Sequence, residues 1–256
     1  MRNRSKLFLF FINIFLFMFL FEQSVSSLSI QNNMKNIKCV NENEQVNNNN
    51  SKVIYLTFDD GPNEKITNKV LDILKENDVK ATFFLIGSQI DGQEDVVKRI
   101  YNEGNSIGLH TFTHKFRNIY SNEDNFINEM MECREKINNV IGISPEIIRF
   151  PGGSRKHLSK DYLNRLHENN FKVYDWNVET SDGLNPKISP YNMFRRAVKE
   201  SKNLPRIILL MHCDCRQKNT CEALPDIIKY YKLQGYEFKT ITEDTPELYF
   251  PIKTKK

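Results

Sequence analysis

Apolar and polar positions alternate along residues 53–241 with two distinct periods. Short apolar runs rich in β-branched and aromatic side chains predict buried strands, over residues 53–58, 81–86, 106–109, 147–150, 172–177, 206–211 and 237–241. Longer stretches with apolar residues at helical spacing predict helices, over residues 66–76, 94–102, 124–140, 160–169, 191–201 and 223–234. This regular strand–helix alternation indicates an α/β domain built on a parallel sheet.

Polar side chains stand at or just beyond the carboxyl ends of several predicted strands. In chain order they are Asp59, Asp60, His110, Arg149, Asp182 and His212. An open doubly wound sheet brings together only the strands beside its switch point. A barrel gathers the ends of all its strands at one face. The placement of these residues therefore favours a (β/α) barrel.

Residues 1–26 have the pattern of a targeting segment. Arg2, Arg4 and Lys6 precede an apolar run over residues 7–21 that only Asn13 interrupts, and small residues follow it. The run is short for a membrane span, which needs about 20 apolar residues. We expect a cleaved signal peptide, with an N-terminal membrane anchor through residues 7–21 as the alternative. Either way the body is expected to be exported, to the extracellular space or the cell wall.

The rest of the chain divides into three parts. Residues 27–50 are rich in Asn and have no apolar period, which is typical of a flexible spacer. Residues 51–245 hold all the predicted strands and helices and form one domain. Residues 246–256 form a basic C-terminal tail.

Charge and cysteine content restrict the partners and the redox chemistry. A net charge of +4 in 256 residues is too small to indicate a nucleic-acid partner. The chain has five cysteines, so at least one thiol stays unpaired even if disulfides form. Cys215 and Cys221 are close enough in sequence to close a small loop, and fully reduced thiols are the alternative.

Three short motifs carry the candidate chemistry. Asp59 and Asp60 are adjacent carboxylates, His110 and His114 are two imidazoles four residues apart, and His212 is a third imidazole. One carboxylate and two imidazoles can hold a hydrolytic metal and leave coordination positions open. The remaining carboxylate and imidazole can then act as base and acid. The pattern predicts a metal-assisted hydrolase. A non-haem iron oxygenase uses the same ligand types, but its usual all-β barrel conflicts with the strand–helix alternation.

Five ordered motifs resemble those of the polysaccharide deacetylases, the NodB-homology domain of carbohydrate esterase family four. They are Thr57–Pro62, His110–His114, Arg149–Gly153, Trp176–Asp182 and Leu210–His212. The resemblance covers residues 53–242 and is closest in style to the bacterial peptidoglycan N-acetylglucosamine deacetylases. It implies a distorted, incomplete (β/α) barrel with about seven parallel strands. It also implies that residues 51–245 form a catalytic domain that removes acetyl groups from a polysaccharide.

The resemblance also implies a metal site and a base. Asp60, His110 and His114 would bind one divalent metal, expected to be Zn²⁺, with Co²⁺ or another transition metal as the alternative. Asp59 would be the general base that deprotonates the attacking water. Arg149 would pair with Asp59 and keep it ionised and oriented.

The remaining roles implied by the resemblance concern the leaving group and the acetyl pocket. His212 would be the general acid, and Asp182 would orient it and tune its pKa. The backbone N–H of Gly152 would donate to the oxyanion, and Leu210 would line the pocket for the acetyl methyl group.

One motif departs from the family pattern. The family's Asp-x-x-Asp-Trp stands here as Glu179-Thr-Ser-Asp182-Gly183, so the tryptophan that usually closes the acetyl pocket is missing. Trp176 is expected to belong to the barrel core.

A polysaccharide is the expected substrate and partner, and the protein is expected to be monomeric. The N-acetylglucosamine of peptidoglycan is the leading candidate. Chitin oligomers, N-acetylmuramic acid and acetyl-xylan are alternative substrates. A catalytically inactive glycan-binding module on the same scaffold is the alternative to an enzyme.

Overall fold

The computed structural model describes residues 52–252, which form one compact unit. The predicted signal peptide or anchor, the spacer, Cys39 and residues 253–256 lie outside this part of the chain. Its strands are β1 (Lys52–Gly61), β2 (Thr82–Leu85), β3 (Ser106–Leu109), β4 (Ile147–Ile148), β5 (Lys172–Val173), β6 (Val178–Glu179), β7 (Arg206–His212) and β8 (Tyr236–Phe238). Its helices are α1 (Glu64–Glu76), α2 (Glu94–Asn102), α3 (Phe116–Ile119), α4 (Glu123–Ile141), α5 (Lys160–Glu168), α6 (Pro190–Glu200) and α7 (Lys218–Leu233). Within residues 52–252, no helix combines the length and apolar character that a membrane crossing requires.

The strands form one parallel sheet that curls into an incomplete barrel. The order is β5-β4-β3-β2-β1-β7-β6, and β8 pairs with the start of β1. The two end strands, β5 and β6, are not paired with each other in the described part of the chain. The seven ordered strands are surrounded by helices, so the predicted incomplete (β/α) barrel is confirmed.

Side-chain alternation divides the two central strands into an inner and an outer face. Because successive side chains point to opposite faces, Tyr55 and Asp59 share the inner face of β1. Ile208 and His212 share the inner face of β7, and the parallel register sets Tyr55 opposite Ile208 and Asp59 opposite His212. Tyr55 and Ile208 belong to a small inner core cluster. The inner face is therefore apolar at the bottom of the barrel and polar at its carboxyl end.

The outer faces of the strands pack against the helices. The larger core cluster joins buried apolar residues of β1, β2 and β7 to those of the helices, for example Leu56, Phe83 and Leu209 with Val70 and Leu224. Asn63 accepts a hydrogen bond from the N–H of Ile66, 2.9 Å away, and so caps the N-terminus of α1. The capped helix begins directly after the motif Thr57–Pro62 and fixes the exit of the chain from β1.

The predicted strand over residues 172–177 is shorter than expected. Only Lys172–Val173 pairs at one edge of the sheet, and the chain then crosses to the opposite edge, where Val178–Glu179 pairs with β7. Asp175, in the crossing segment, is fully buried and accepts hydrogen bonds from the backbone N–H groups of Ser154 and Phe250. These bonds hold the segment across the open side of the barrel.

Two further features refine the sequence-based expectations. Residues 246–252 lie in the predicted basic tail, but part of this segment packs on the body: Leu248 forms a bridge with Tyr174, and the ring of Phe250 contacts Trp176. Within residues 52–252 the cysteines form no disulfide with one another, so the loop closure between Cys215 and Cys221 does not occur. Among these described cysteines, the exposed Cys215 and the buried Cys221 are both unpaired.

Candidate active site

A cavity of about 440 Å³ opens at the carboxyl ends of the central strands. Most of the residues singled out in the sequence line it: Asp59, Asp60, His110, His114, Gly152, Asp182, Leu210 and His212. Arg149 is the exception, because it is fully buried and lies behind Asp59, to which its side chain is hydrogen-bonded. Residues from five separate stretches of the chain therefore meet at one place.

A bulge at the end of β1 brings both adjacent carboxylates to this cavity. Adjacent residues of a regular strand point to opposite faces. Here the register with β2 shifts between Asp59 and Gly61, and Asp60 has a left-handed backbone with φ 66°. Such a bulge re-aims a side chain, so Asp60 joins Asp59 at the cavity instead of entering the helical layer.

Asp60, His110 and His114 form a cluster that could hold a metal ion, with one ligand atom from each residue within 4.8 Å of the others. Asp60 Oδ1 is buried and has no hydrogen-bond donor among the described residues. It lies 3.5 Å from His110 Nε2 and 3.3 Å from His114 Nε2. An orphaned carboxylate oxygen facing two ring nitrogens fits a bound cation, because burial without a partner is otherwise costly.

The surroundings of His110 determine its tautomer and its charge. Its Nδ1 lies 2.9 Å from the backbone oxygen of Arg149. A carbonyl can only accept, so Nδ1 carries the proton and Nε2 presents its lone pair to the cluster. Burial and the neighbouring His114 lower the pKa of His110 to about 3. The imidazole is therefore neutral at physiological pH, as metal binding requires.

Glu129, a residue that the sequence analysis missed, holds the loop between the two histidines. Its side chain is buried and accepts hydrogen bonds from the N–H groups of Phe112 (3.0 Å) and Thr113 (2.6 Å). The loop needs such support, because Thr111 and His114 both have positive φ values of 68° and 54°. The sequence does hold one signal for this role: Glu129 is a carboxylate on the otherwise apolar face of α4, between Phe126 and Cys133.

Arg149 anchors Asp59 from below. Its Nη1 donates to Asp59 Oδ1 over 2.8 Å and to Thr57 Oγ1 over 2.7 Å. Its Nε donates to the backbone oxygen of Tyr174 over 2.7 Å. The guanidinium also stacks over the ring of Phe84, 4.2 Å from its centroid. Complete burial raises the pKa of Asp59 above its usual range, while the charges of Arg149 and His212 favour its ionised form. This carboxylate can therefore bind a proton more readily than an exposed aspartate.

His212 and Asp182 form a second buried pair on the other side of the cavity. Asp182 Oδ1 lies 2.9 Å from His212 Nδ1, and Oδ2 accepts from the backbone N–H of His212 over 2.8 Å. Thr180 and Thr220 also donate to this carboxylate. Burial opposes protonation of His212, but Asp182 outweighs it and raises the pKa of His212 to about 9. His212 is thus protonated at neutral pH and presents Nε2 to the cavity.

Gly183 lies where the family usually has a tryptophan, and the structure gives a physical reason for the glycine. A Cβ added at this position would lie 2.5 Å from Nε2 and 2.8 Å from Nδ1 of His212. The next residue, Leu184, is 84 % exposed and lines the cavity together with the buried Leu210. Trp176, expected in the core, is half-buried and also lines the cavity.

Gly152 lies at the rim of the cavity with φ +73°. Its N–H has no acceptor within residues 52–252, whereas the N–H of Gly153 is bonded to the oxygen of Phe150. The N–H of Gly152 is therefore free to bond a ligand.

Comparisons with known proteins identify relatives of this chain. The family model for polysaccharide deacetylases matches residues 46–173. The sequence is 39% identical over 204 residues to a peptidoglycan-N-acetylglucosamine deacetylase of Bacillus cereus, a match that covers 78% of this chain and 72% of that protein.

Two crystal structures resemble the fold. One is the polysaccharide deacetylase Bc1974 from Bacillus cereus, with a TM-score of 0.68 and 38% identity over 78% of this chain and 96% of that one. The other is the catalytic domain of a peptidoglycan N-acetylglucosamine deacetylase from Eubacterium rectale, with a TM-score of 0.72 and 31% identity over 81% and 96% of the two chains. Motifs, fold and sequence identity lead to one conclusion: the chain belongs to the polysaccharide deacetylase family, whose members are hydrolases.

Proposed function

We propose that the protein hydrolyses the N-acetyl group of N-acetylglucosamine in peptidoglycan, releasing acetate and leaving a free amine. One observation carries the proposal: a single cavity holds a three-donor cluster, a carboxylate paired with a buried arginine, and a histidine paired with a buried aspartate. Support for the substrate comes from the relatives, two of which bear the name of a peptidoglycan N-acetylglucosamine deacetylase.

Asp60, His110 and His114 are the proposed ligands of a Zn²⁺ ion. Two imidazoles and one carboxylate suit this ion and leave coordination positions open. When bound, the ion supplies Lewis-acid chemistry, polarising the acetyl carbonyl and lowering the pKa of water.

Asp59 is the proposed general base. It takes a proton from the attacking water as the water oxygen bonds to the acetyl carbon. Its Oδ1 is occupied by Arg149, 2.8 Å away, so Oδ2 is the oxygen that receives the proton. The hydrogen-bonded ion pair fixes the carboxylate, and general-base catalysis by a positioned group contributes about 10²–10⁴ in rate.

His212 is the proposed general acid. As the carbon–nitrogen bond breaks, its Nε2 gives a proton to the leaving amine nitrogen. Asp182 bonds Nδ1, so the proton on Nε2 is the one that faces the cavity. A pKa of about 9 keeps this proton in place at neutral pH.

The acetyl group itself is held by three residues in this proposal. The unbonded N–H of Gly152 donates to the carbonyl oxygen as negative charge develops there, a contact typically worth about 2.7–4 kcal/mol. Leu210 and Leu184 provide apolar contact for the methyl group. Leu184 takes the place of the missing tryptophan as an apolar wall of the acetyl pocket. Its exposed side chain loses contact with water when the acetyl group is bound, which favours binding.

Two variants separate the proposed roles. Asp59→Asn should retain one metal ion per chain, measured by elemental analysis, and release acetate at least about 10²-fold more slowly. His114→Ala should lose the metal and the activity together. Normal acetate release by Asp59→Asn would refute the base assignment, and an unchanged metal content in His114→Ala would refute the ligand set.

The substrate is tested with a panel of peptidoglycan, chitin oligomers, N-acetylmuramic acid and acetyl-xylan. The highest kcat/KM is expected for peptidoglycan. A preference for any other member would refute that part of the proposal while leaving deacetylation intact.

We further infer that the protein acts outside the cytoplasm, at the cell wall, as a monomer. Support for export comes from the pattern of residues 1–26 and from relatives named for a cell-wall substrate. Detection of the protein in the culture medium or the wall fraction tests this inference, and recovery in the cytoplasm alone would refute it.

A further inference from the structure

A second cleft, of about 690 Å³, adjoins the catalytic cavity. Phe116, Gly152 and Trp176 line both spaces, so the two are continuous along one surface of the barrel. A volume of this size is typical of ligand sites. A glycan with its acetylated sugar beside His212 can therefore extend its neighbouring sugar into the second cleft.

Aromatic rings form much of the wall of this cleft. Trp176 and Phe250 meet edge to face with their centroids 5.1 Å apart. Phe116 is 50% exposed and lines the cleft as well. The C–H faces of a pyranose ring are apolar and pack well on such rings, whose partial exposure leaves them free for contact.

The cleft also carries two cations that have no carboxylate partner within residues 52–252. Arg155 and Lys156 are exposed and line the cleft. The guanidinium of Arg155 lies over the ring of Phe250, 4.7 Å from its centroid, which restricts its orientation without neutralising its charge. Both positive charges would attract an anionic ligand.

The two carboxylates that line the cleft are already engaged elsewhere. Glu179 Oε1 lies 3.5 Å from Arg196 Nη2, and Glu200 Oε1 lies 3.4 Å from the same nitrogen. Glu200 Oε2 also accepts a hydrogen bond from the backbone N–H of Glu179 over 3.1 Å. The negative charges of Glu179 and Glu200 are therefore partly balanced by Arg196. The positive charges of Arg155 and Lys156 are not balanced by any carboxylate within residues 52–252.

A buried carboxylate holds the cationic turn in place. Asp175 is fully buried and accepts from the N–H of Ser154 over 3.0 Å and from the N–H of Phe250 over 2.7 Å. The hydroxyl of Ser154 donates to it as well. One side chain thus ties the turn that carries Arg155 and Lys156 to the segment that carries Phe250, next to Trp176.

We propose that this cleft binds the sugar adjacent to the acetylated one when that sugar bears a carboxylate, which pairs with Arg155 and Lys156 while the ring packs on Trp176 and Phe250. The inference rests on the proposed function, because it names the kind of polymer that the active site accepts. In a peptidoglycan the carboxylate has two sources: the lactyl ether of a peptide-free sugar, or the peptide attached to that ether.

The single tryptophan of the chain makes the proposal directly measurable, because Trp176 lines both cavities. The full-length protein is titrated with three tetrasaccharides while tryptophan fluorescence is followed. They are neutral chitotetraose, a peptide-free glycan of alternating N-acetylglucosamine and N-acetylmuramic acid, and its peptide-bearing form. The double variant Arg155→Gln/Lys156→Gln is compared with Lys65→Gln/Lys69→Gln, which removes the same charge from exposed positions on α1.

The cleft variant should bind an anionic glycan roughly tenfold more weakly than the wild type, because two exposed ion pairs are lost. Its affinity for chitotetraose should change less than about twofold. The α1 control should bind all three glycans like the wild type. If the cleft variant binds the peptide-free glycan more weakly than the wild type does, the recognised group is the lactyl carboxylate. If only binding of the peptide-bearing glycan is weakened, the recognised carboxylate belongs to the peptide.

Equal weakening for neutral and anionic glycans, or no weakening at all, would overturn the proposal. Acetate release is measured in parallel with the binding titration. Charge-dependent binding without acetate release would refute the proposed deacetylation and leave the subsite standing. Acetate release without charge-dependent binding would refute the subsite and leave the deacetylation standing.

Discussion

Gly183→Ala is expected to disable the proposed general acid without removing any titratable group. The new Cβ would lie 2.5 Å from Nε2 and 2.8 Å from Nδ1 of His212, inside the 3.0 Å below which real Cβ contacts are essentially never found. The ring cannot simply turn away, because Asp182 bonds both its Nδ1 and the backbone N–H of His212. Relief requires the imidazole to move by roughly 1 Å, and a misplacement of about 1 Å can cost about 10²-fold in rate.

The same clash should also lower the free energy of unfolding by about 1–3 kcal/mol, the usual cost of overpacking. A double-mutant cycle isolates the cost of the contact between the new methyl group and the His212 ring. Urea unfolding is measured for Gly183→Ala, for His212→Ala and for the double variant. With His212 truncated, the added methyl group meets no ring, so its cost should largely disappear. Near-normal kcat for acetate release in Gly183→Ala, or an equal cost in both backgrounds, would refute the reasoning.

Three further predictions concern the buried charges around the site. Asp182→Asn removes the partner that raises the pKa of His212 to about 9. Since His212 must be protonated to act as an acid, the alkaline limb of the kcat–pH profile should move to lower pH, and an unmoved limb would contradict the pairing. Arg149→Ala leaves Asp59 buried and unpaired, so the free energy of unfolding should fall by about 3–5 kcal/mol in urea titrations; a loss below about 1 kcal/mol would show that the pair is not buried as described. Glu129→Gln deprives the loop of an acceptor and should weaken metal binding roughly tenfold by competition with a chelator. The exposed Glu132→Gln on the same helix should not, and equal effects of the two would remove Glu129 from the metal site.

Much of the site was predictable because its signals are local. The apolar runs of β1 and β7 end in Asp59 and His212, and strand ends of a parallel barrel converge at one face. The sequence could not show that these two residues stand opposite each other, since the register of β1 against β7 depends on pairing across 153 residues. It also could not show the bulge at Asp60, which turns the second carboxylate to the same cavity.

Other features depend on contacts between distant parts of the chain. The run over residues 172–177 is apolar enough for a strand, but Asp175 is drawn across the barrel opening by hydrogen bonds to Ser154 and Phe250. The contribution of Phe250 to the cleft likewise depends on packing against Trp176, 74 residues earlier in the chain. Periodicity carries no information about such pairs, because it describes each segment alone.

The central claim is that acetate release requires one metal ion held by Asp60, His110 and His114. The most direct measurement strips the full-length protein of metal, returns Zn²⁺ in steps, and follows acetate release against bound metal. No release is expected from the stripped protein, and release should rise linearly to a maximum at one ion per chain. Full acetate release from protein shown to be free of metal would contradict it.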